Sequence, residues 1–221
     1  MKQFWRNNGL SIVMLGMFFV AFMFGQTYSG WLAENEDRTQ HGQRAQTLSE
    51  YLGSAHFAEA TMENWESEFL QMGVFVLFTV FLFQKGSAES KDPDKREEVD
   101  RDPRKVRDKR DAPWPVRQGG WVLKLYEYSL SIAFFLLFLV SLLLHAISGR
   151  ALYNEEQVLH GAAPVSLGGF VSSSRFWFES FQNWQSEFLA IGCMVVFSIY
   201  LRQRGSPESK PVDAPHSETG A

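Results

Sequence analysis

Apolar residues crowd into four runs that are almost free of charge: Gly9 to Tyr28, Phe69 to Phe83, Leu130 to Ile147 and Phe188 to Leu201. Polar residues fill the segments between them. A helix needs roughly 20 apolar residues to cross a ~30 Å hydrocarbon core. The first run has 20 residues and the third has 18, with His145 near its end. The second and fourth have 15 and 14, which cover only about 21–23 Å at 1.5 Å per residue. To span, their helices must begin earlier, near Glu63 and Gln182. That draws Asn64, Ser67 and Glu68, and likewise Asn183, Ser186 and Glu187, to the membrane interface or just beneath it. Gln84-Lys85-Gly86 and Gln203-Arg204-Gly205 favour an exit at the other end. The pattern predicts an all-α membrane protein with four transmembrane helices.

The pattern is also written twice. Residues 29–91 align with residues 148–210 at an offset of 119 without a gap, with 25 identities in 63 positions. Asn64-Trp65-Glu66-Ser67-Glu68-Phe69-Leu70 returns as Asn183-Trp184-Gln185-Ser186-Glu187-Phe188-Leu189. Each copy holds two apolar runs, so the expected architecture is two tandem two-helix repeats. Residues 1–91 form the first repeat, 92–113 a charged linker, 114–210 the second repeat and 211–221 a polar tail.

Charge decides the orientation. Lys and Arg gather in cytoplasmic loops. The segment 84–125 carries 12 of them. The segments 29–68 and 148–187 carry two each, Arg38 with Arg44 and Arg150 with Arg175. The linker and both termini are therefore expected inside and the two copied loops outside. The copies then share one orientation, a parallel rather than an inverted repeat. Lys2 and Arg6 before the first run imitate a secretory signal. That run exceeds the usual ~7–15-residue apolar core of a signal, and its counterpart lies mid-chain, so it reads as an uncleaved span. Lys91 to Asp111 has two valines as its only large apolar residues, too few to offset chain entropy, and is expected to be a disordered tether. The tail after Lys210 is expected to fray.

Composition adds exclusions. Twenty Phe in 221 residues suit lipid-facing helices. One cysteine, Cys193, excludes an intrachain disulfide. No basic patch with interleaved aromatics points to nucleic acid. No cofactor is implied: Gly-Lys-Ser or Gly-Lys-Thr, Cys-x-x-Cys and His-Glu-x-x-His are absent. No catalytic set is legible, so an enzyme is disfavoured.

Three repeated motifs remain. In the first, Asn64, Ser67 and Glu68 share a helix face, as do Asn183, Ser186 and Glu187. Trp65 and Trp184 suit interfacial anchoring, and Gly73 and Gly192 suit close helix packing. The bland reading is anchoring and helix-to-helix bonding. The sharper one sets Glu68 and Glu187 at a polar mouth that handles a cation or proton. In the second, Asp37 and His41 stand four apart, as do Glu156 and His160, a spacing that suits one metal. Equally, acidic residues suit a helix start, and His followed by Gly42 or Gly161 suits a helix stop. In the third, Gly86 and Gly205 end helices, and Lys85, Lys91, Arg204 and Lys210 can meet anionic headgroups.

The combination of Asn154-Glu155-Glu156 with His160-Gly161, then Asn183-Trp184-Gln185-Ser186-Glu187-Phe188, then Gln203-Arg204-Gly205-Ser206-Pro207-Glu208-Ser209-Lys210, resembles a family of small bacterial inner-membrane proteins defined as a domain of unknown function. The resemblance covers nearly the whole chain and implies a bacterial cytoplasmic membrane. It carries no activity. The expected partners are the lipid bilayer and a homo-oligomer or other membrane protein. The expected role is a non-enzymatic scaffold, lipid-interacting element or complex subunit. A small oligomeric channel or transporter using Glu68 and Glu187 is the alternative, and an enzyme built on the His41 and His160 loops is a third.

Overall fold

In the computed structural model, which describes residues 2–220, every regular element is a helix. Helix α1 (Lys2–Val20) runs through a π-helical stretch (Ala21–Ser29) into α2 (Gly30–Gln40) without a break, 39 residues in all. A loop leads to the short α3 (Leu48–Leu52) and then to α4 (Ala55–Phe78). Residues 92–113, expected to be a tether, hold two 3-10 turns at Glu98–Asp100 and Pro103–Val106. Their charges close short-range contacts such as Lys91 to Asp100 at 2.7 Å and Lys95 to Asp92 at 3.1 Å. Then follow α5 (Trp114–Gln118), α6 (Gly120–Glu127), the 31-residue α7 (Ser129–Leu159), α8 (Leu167–Val171) and α9 (Ser174–Tyr200).

Two helices are long and apolar enough to cross a bilayer, Lys2–Gln40 and Ser129–Leu159. Helices α4 and α9 begin at Ala55 and Ser174, eight residues before the starts at Glu63 and Gln182 that length alone demands. Their 24 and 27 residues give roughly 36 and 40 Å. Their polar first halves dilute the apolar second halves. Helix α4 also stops at Phe78, five residues before its apolar run ends at Phe83.

Local chemistry explains where the helices start. Thr47 and Glu50 form a reciprocal cap on α3, with the Thr47 amide donating to Glu50 Oε2 at 2.7 Å and the Glu50 amide to Thr47 Oγ1 at 3.3 Å. Ser166 accepts the Gly169 amide at 3.1 Å at the start of α8. Ser54 accepts the Phe57 amide at 3.2 Å, and Ser173 accepts the Phe176 amide at 3.4 Å, at the starts of α4 and α9. An N-cap hydroxyl of this kind satisfies one of the amides that an α-helix leaves free at its start.

The chain divides into two units. The first comprises Met1–Thr61 and Leu144–Gly169. Its apolar core is small: Tyr51 and Ala146 are buried there, and α1 buries no residue at all. Tyr51 packs edge-on to Phe57 and sits against Gly30, whose missing side chain leaves room for the phenol. The second comprises Met62–Leu143 and Phe170–Ala221. It holds Leu70, Val116, Leu123, Phe170 and Phe176 as buried apolar residues, with Phe176, Trp177, Phe181 and Trp184 in a chain of ring contacts.

Candidate functional site

Two helices of the first unit end in the same way. Gly42 has φ +69°, its amide donates to Thr39 O at 3.1 Å, and the Gln43 amide donates back to Arg38 O at 2.8 Å. Gly161 has φ +73°, its amide donates to Val158 O at 3.0 Å, and the Ala162 amide donates to Gln157 O at 2.8 Å. This is the paired closure of a helix on a left-handed glycine. An asparagine then clamps each returning loop. The Asn35 side chain donates to Gln46 O at 2.9 Å and accepts the Gln46 amide at 2.6 Å. The Asn154 side chain donates to Val165 O at 3.1 Å and accepts the Val165 amide at 2.8 Å.

His41 and His160 turn back on their own helices. Each sets Nδ1 against the carbonyl four residues earlier, Asp37 O at 2.9 Å and Glu156 O at 2.8 Å, and both rings are exposed. The C-terminal parts of α2 and α7 share a cleft of about 830 Å³. Asp37, Arg38, His56 and Glu156 are among its lining residues, whereas His41 and His160 are not. Glu34 sits in that lining with Arg38 and His56 each 3.8 Å from its carboxylate.

Beneath these ends the first unit buries polar side chains: Thr27, Glu59, Thr61, His145 and Ser148. The π-helical stretch supplies Gln26, which donates to Thr61 Oγ1 at 2.7 Å, and Thr27. Insertions of this type are common at functional sites. Thr61 passes its own proton to Phe57 O at 2.7 Å, and Ser148 donates to Leu144 O at 2.7 Å. Glu59 and His145 bring a carboxylate oxygen and a ring nitrogen within 4.8 Å of one another. Sequence comparison between the copies passes over both, because Glu59 aligns with Phe178 and His145 precedes the aligned region. The signal that was there is His145 itself, a titratable group inside an apolar run.

The Asn-Trp-x-Ser-Glu motif lies in the second unit. Each of its helix-to-helix bonds has one partner, Glu63, Glu66 or Gln71, that differs between the copies. Asn183 donates to Glu63 Oε1 at 2.5 Å, Trp184 Nε1 to Glu66 Oε1 at 3.3 Å, and Gln71 to the Glu187 carbonyl at 2.8 Å. Glu66 and Gln71 are buried, Glu187 is half-buried, and Glu68 and Asn64 are exposed. Ser67 and Ser186 each donate to the carbonyl three residues back, Asn64 O and Asn183 O, both at 2.8 Å. Trp65 stacks edge-on with Phe69, and Trp184 with Phe138 and Phe181. Gly73 lies against Phe134 and Phe135, while Gly192 has open space around it.

The Gly-Ser motif folds into the same knot twice. The Ser87 amide donates to Gln84 O at 3.1 Å and the Ser206 amide to Gln203 O at 3.2 Å, with Gly86 at φ +87° and Gly205 at φ +84°. That glycine position is the one a type II turn requires. Ser90 Oγ accepts the Gln84 amide and Ser209 Oγ the Gln203 amide, each at 2.9 Å. Lys210, one of the four cations that can meet anionic headgroups, is 1% exposed and turned inward. Its ammonium donates to four carbonyls, Gly86 at 2.5 Å, Glu218 at 2.7 Å, His216 at 3.1 Å and Pro215 at 3.2 Å. Burial holds its pKa below the ordinary lysine value, Arg202 adds to this, and Glu218 opposes it. The tail is therefore pinned rather than frayed. The Gly86 amide donates to Thr219 Oγ1 at 2.9 Å and the Gly220 amide to Ser87 O at 3.0 Å. Lys91, the counterpart of Lys210, instead pairs with Asp100.

A family model described as a domain of unknown function, DUF6766, matches residues 1–221. No curated protein and no solved structure matches the chain.

Proposed function

We propose that this chain, which belongs to the DUF6766 family along its whole length, is a multi-pass protein of the bacterial cytoplasmic membrane. It has four transmembrane helices arranged as two parallel two-helix repeats, with both termini in the cytoplasm. It serves as a non-enzymatic scaffold, lipid-interacting element or subunit of a larger assembly. The observation that carries the reading is the outward face of its two longest helices. Leu10, Met14, Met17, Val20 and Phe24 on the first, and Leu130, Leu136 and Leu143 on α7, are all exposed large apolar residues. In water that surface would be an aggregation liability; in lipid it is the expected finish. The matching caps, helix stops, asparagine clamps and Gly-Ser knots, each at an offset of 119, support two copies of one unit. The Lys and Arg distribution supports the orientation. Reporter fusions test it: Gly53 and Gly161 should read outside, and Asp100 and Asp213 inside. An inside reading at Gly161 would overturn the parallel arrangement.

A pore is the second reading. The Gln71 bond to the Glu187 carbonyl joins α4 to α9 within one turn of Glu68, so the two matched carboxylates belong to one helix pair. Purified protein in liposomes decides this reading. If no ion moves, or if Glu68→Gln with Glu187→Gln leaves flux unchanged, it fails.

A further inference from the structure

The Gly-Ser knot of the first copy sets a carboxylate against an apolar wall. The Glu89 amide donates to Ser87 Oγ at 3.1 Å, which fixes where its side chain leaves the knot. That side chain lines a pocket of about 170 Å³ within the second unit, beside Phe75, Phe78, Leu82, Phe83 and Val195. The other polar side chains in the lining have their bonds. Thr79 donates to Val76 O at 3.0 Å, Gln84 to Lys85 O at 3.4 Å, and Ser90 to Lys91 O at 3.0 Å. Glu89 differs: its Oε1 is buried and has no hydrogen-bond partner among the described residues. A buried carboxylate oxygen without a donor is costly. Burial raises the Glu89 carboxyl above its ordinary pKa, and Glu208 adds to this by repulsion. The lysine of the same motif does not relieve it. Lys91 stands 5.8 Å from the centre of the Phe83 ring, but its ammonium pairs with Asp100 at 2.7 Å.

The size and rim of the pocket select the ligand. Drug-sized ligands need about 300–1,000 Å³, so this pocket takes a terminal group. An orphaned acceptor calls for a donor and a carboxylate for a cation; a primary ammonium is both. Aromatic walls favour a cation as well. Phe78, Leu82 and Phe83 are themselves exposed large apolar residues, so the pocket opens among side chains that suit lipid rather than water. In the membrane placement proposed above, it lies where the apolar run of α4 ends at Phe83, at headgroup depth.

We propose that this pocket holds the primary ammonium of an amine-bearing phospholipid, with the Glu89 carboxylate as its acceptor. The proposal rests on the membrane reading and names a lipid chemistry for it. The matched Glu208 is exposed, so only the first copy builds the site.

The experiment uses the full chain in mild detergent, stripped of lipid. It is titrated with phosphatidylethanolamine, phosphatidylglycerol or phosphatidylcholine of the same acyl chains, and separately with ethanolammonium chloride. Native mass spectrometry reads what is retained. Wild type should hold phosphatidylethanolamine at least about tenfold more tightly than either other lipid, the low end of a charge-assisted hydrogen bond. Glu89→Gln keeps the shape, removes the charge and should erase the preference. Glu208→Gln should leave it within about threefold, as for an exposed charge. Equal retention of the three lipids by wild type, or a preference that survives Glu89→Gln, overturns the proposal. Ethanolammonium held as tightly as the lipid would place the source in water and overturn the lipid assignment. The wild-type comparison needs no substitution, so a variant that fails to fold leaves the decision intact. Alkaline extraction of cell membranes separates two failures. A chain that stays in the membrane but shows no lipid preference sinks this proposal alone. A chain released to the supernatant sinks the membrane reading, and this proposal with it.

Discussion

Replacing Lys210 with methionine should release the C-terminal tail. The substitution keeps the unbranched stem and removes the ammonium, so it isolates the four bonds to Gly86, Pro215, His216 and Glu218. A hydrogen bond to a charged donor contributes about 1.5–3 kcal/mol net. Counting only the two shortest contacts, 2.5 Å to Gly86 and 2.7 Å to Glu218, at the low end gives about 3 kcal/mol. That corresponds to roughly 100-fold in the equilibrium for tail opening. Hydrogen exchange reads it directly, because the Gly86 amide is held by Thr219 and the Gly220 amide by Ser87. In Lys210→Met both amides should exchange roughly 100-fold faster. Lys91→Met is the internal control. Its ammonium is partly exposed and pairs with a partly exposed Asp100, a contact worth about 0–1 kcal/mol. Protection of Gly86 and Gly220 within about threefold of wild type in Lys210→Met, a change under ~0.7 kcal/mol, would refute the assignment of tail docking to this one ammonium.

Two further outcomes follow from the first unit. A side chain added at Gly30 would collide with the Tyr51 hydroxyl, so Gly30→Ala should destabilise by about 1–3 kcal/mol. Adding Tyr51→Phe should recover part of that loss of Tm; no recovery would remove the collision as its cause. Arg44, with the amide and hydroxyl of Thr47, holds the Glu50 carboxyl at about 2. A depressed carboxyl stabilises above its unfolded value of ~4.3 and loses that contribution as pH falls toward about 2. Protection of the Thr47 and Glu50 amides should therefore decline across that window, and Glu50→Gln should abolish the dependence.

The helical class was legible because apolar runs of this length have few other uses. Caps and stops were legible too, since Gly42, Gly161, Gly86 and Gly205 all adopt the positive φ that only glycine takes at little cost. What escaped the sequence is complementarity. Matching positions between the copies highlights identical residues, yet two helices bond through unlike groups. Asn183 meets Glu63, whose aligned partner is Gln182, and Trp184 meets Glu66, whose aligned partner is Gln185. Lys210 and Lys91 show the same limit. They are identical and in like knots, but each is held by the segment that follows it, the tail in one case and Asp100 in the other, and those segments differ.

The helix that runs unbroken from Lys2 to Gln40 is roughly 58 Å long, about twice the ~30 Å thickness of a hydrocarbon core. It has no loop to act as a joint, and its far end carries Asp37 and Arg38 into the charged cleft. In the membrane placement proposed above, about half of that rod would stand clear of the hydrocarbon, and a change in the tilt of the buried half would be carried along the unbroken helix to Asp37 and Arg38.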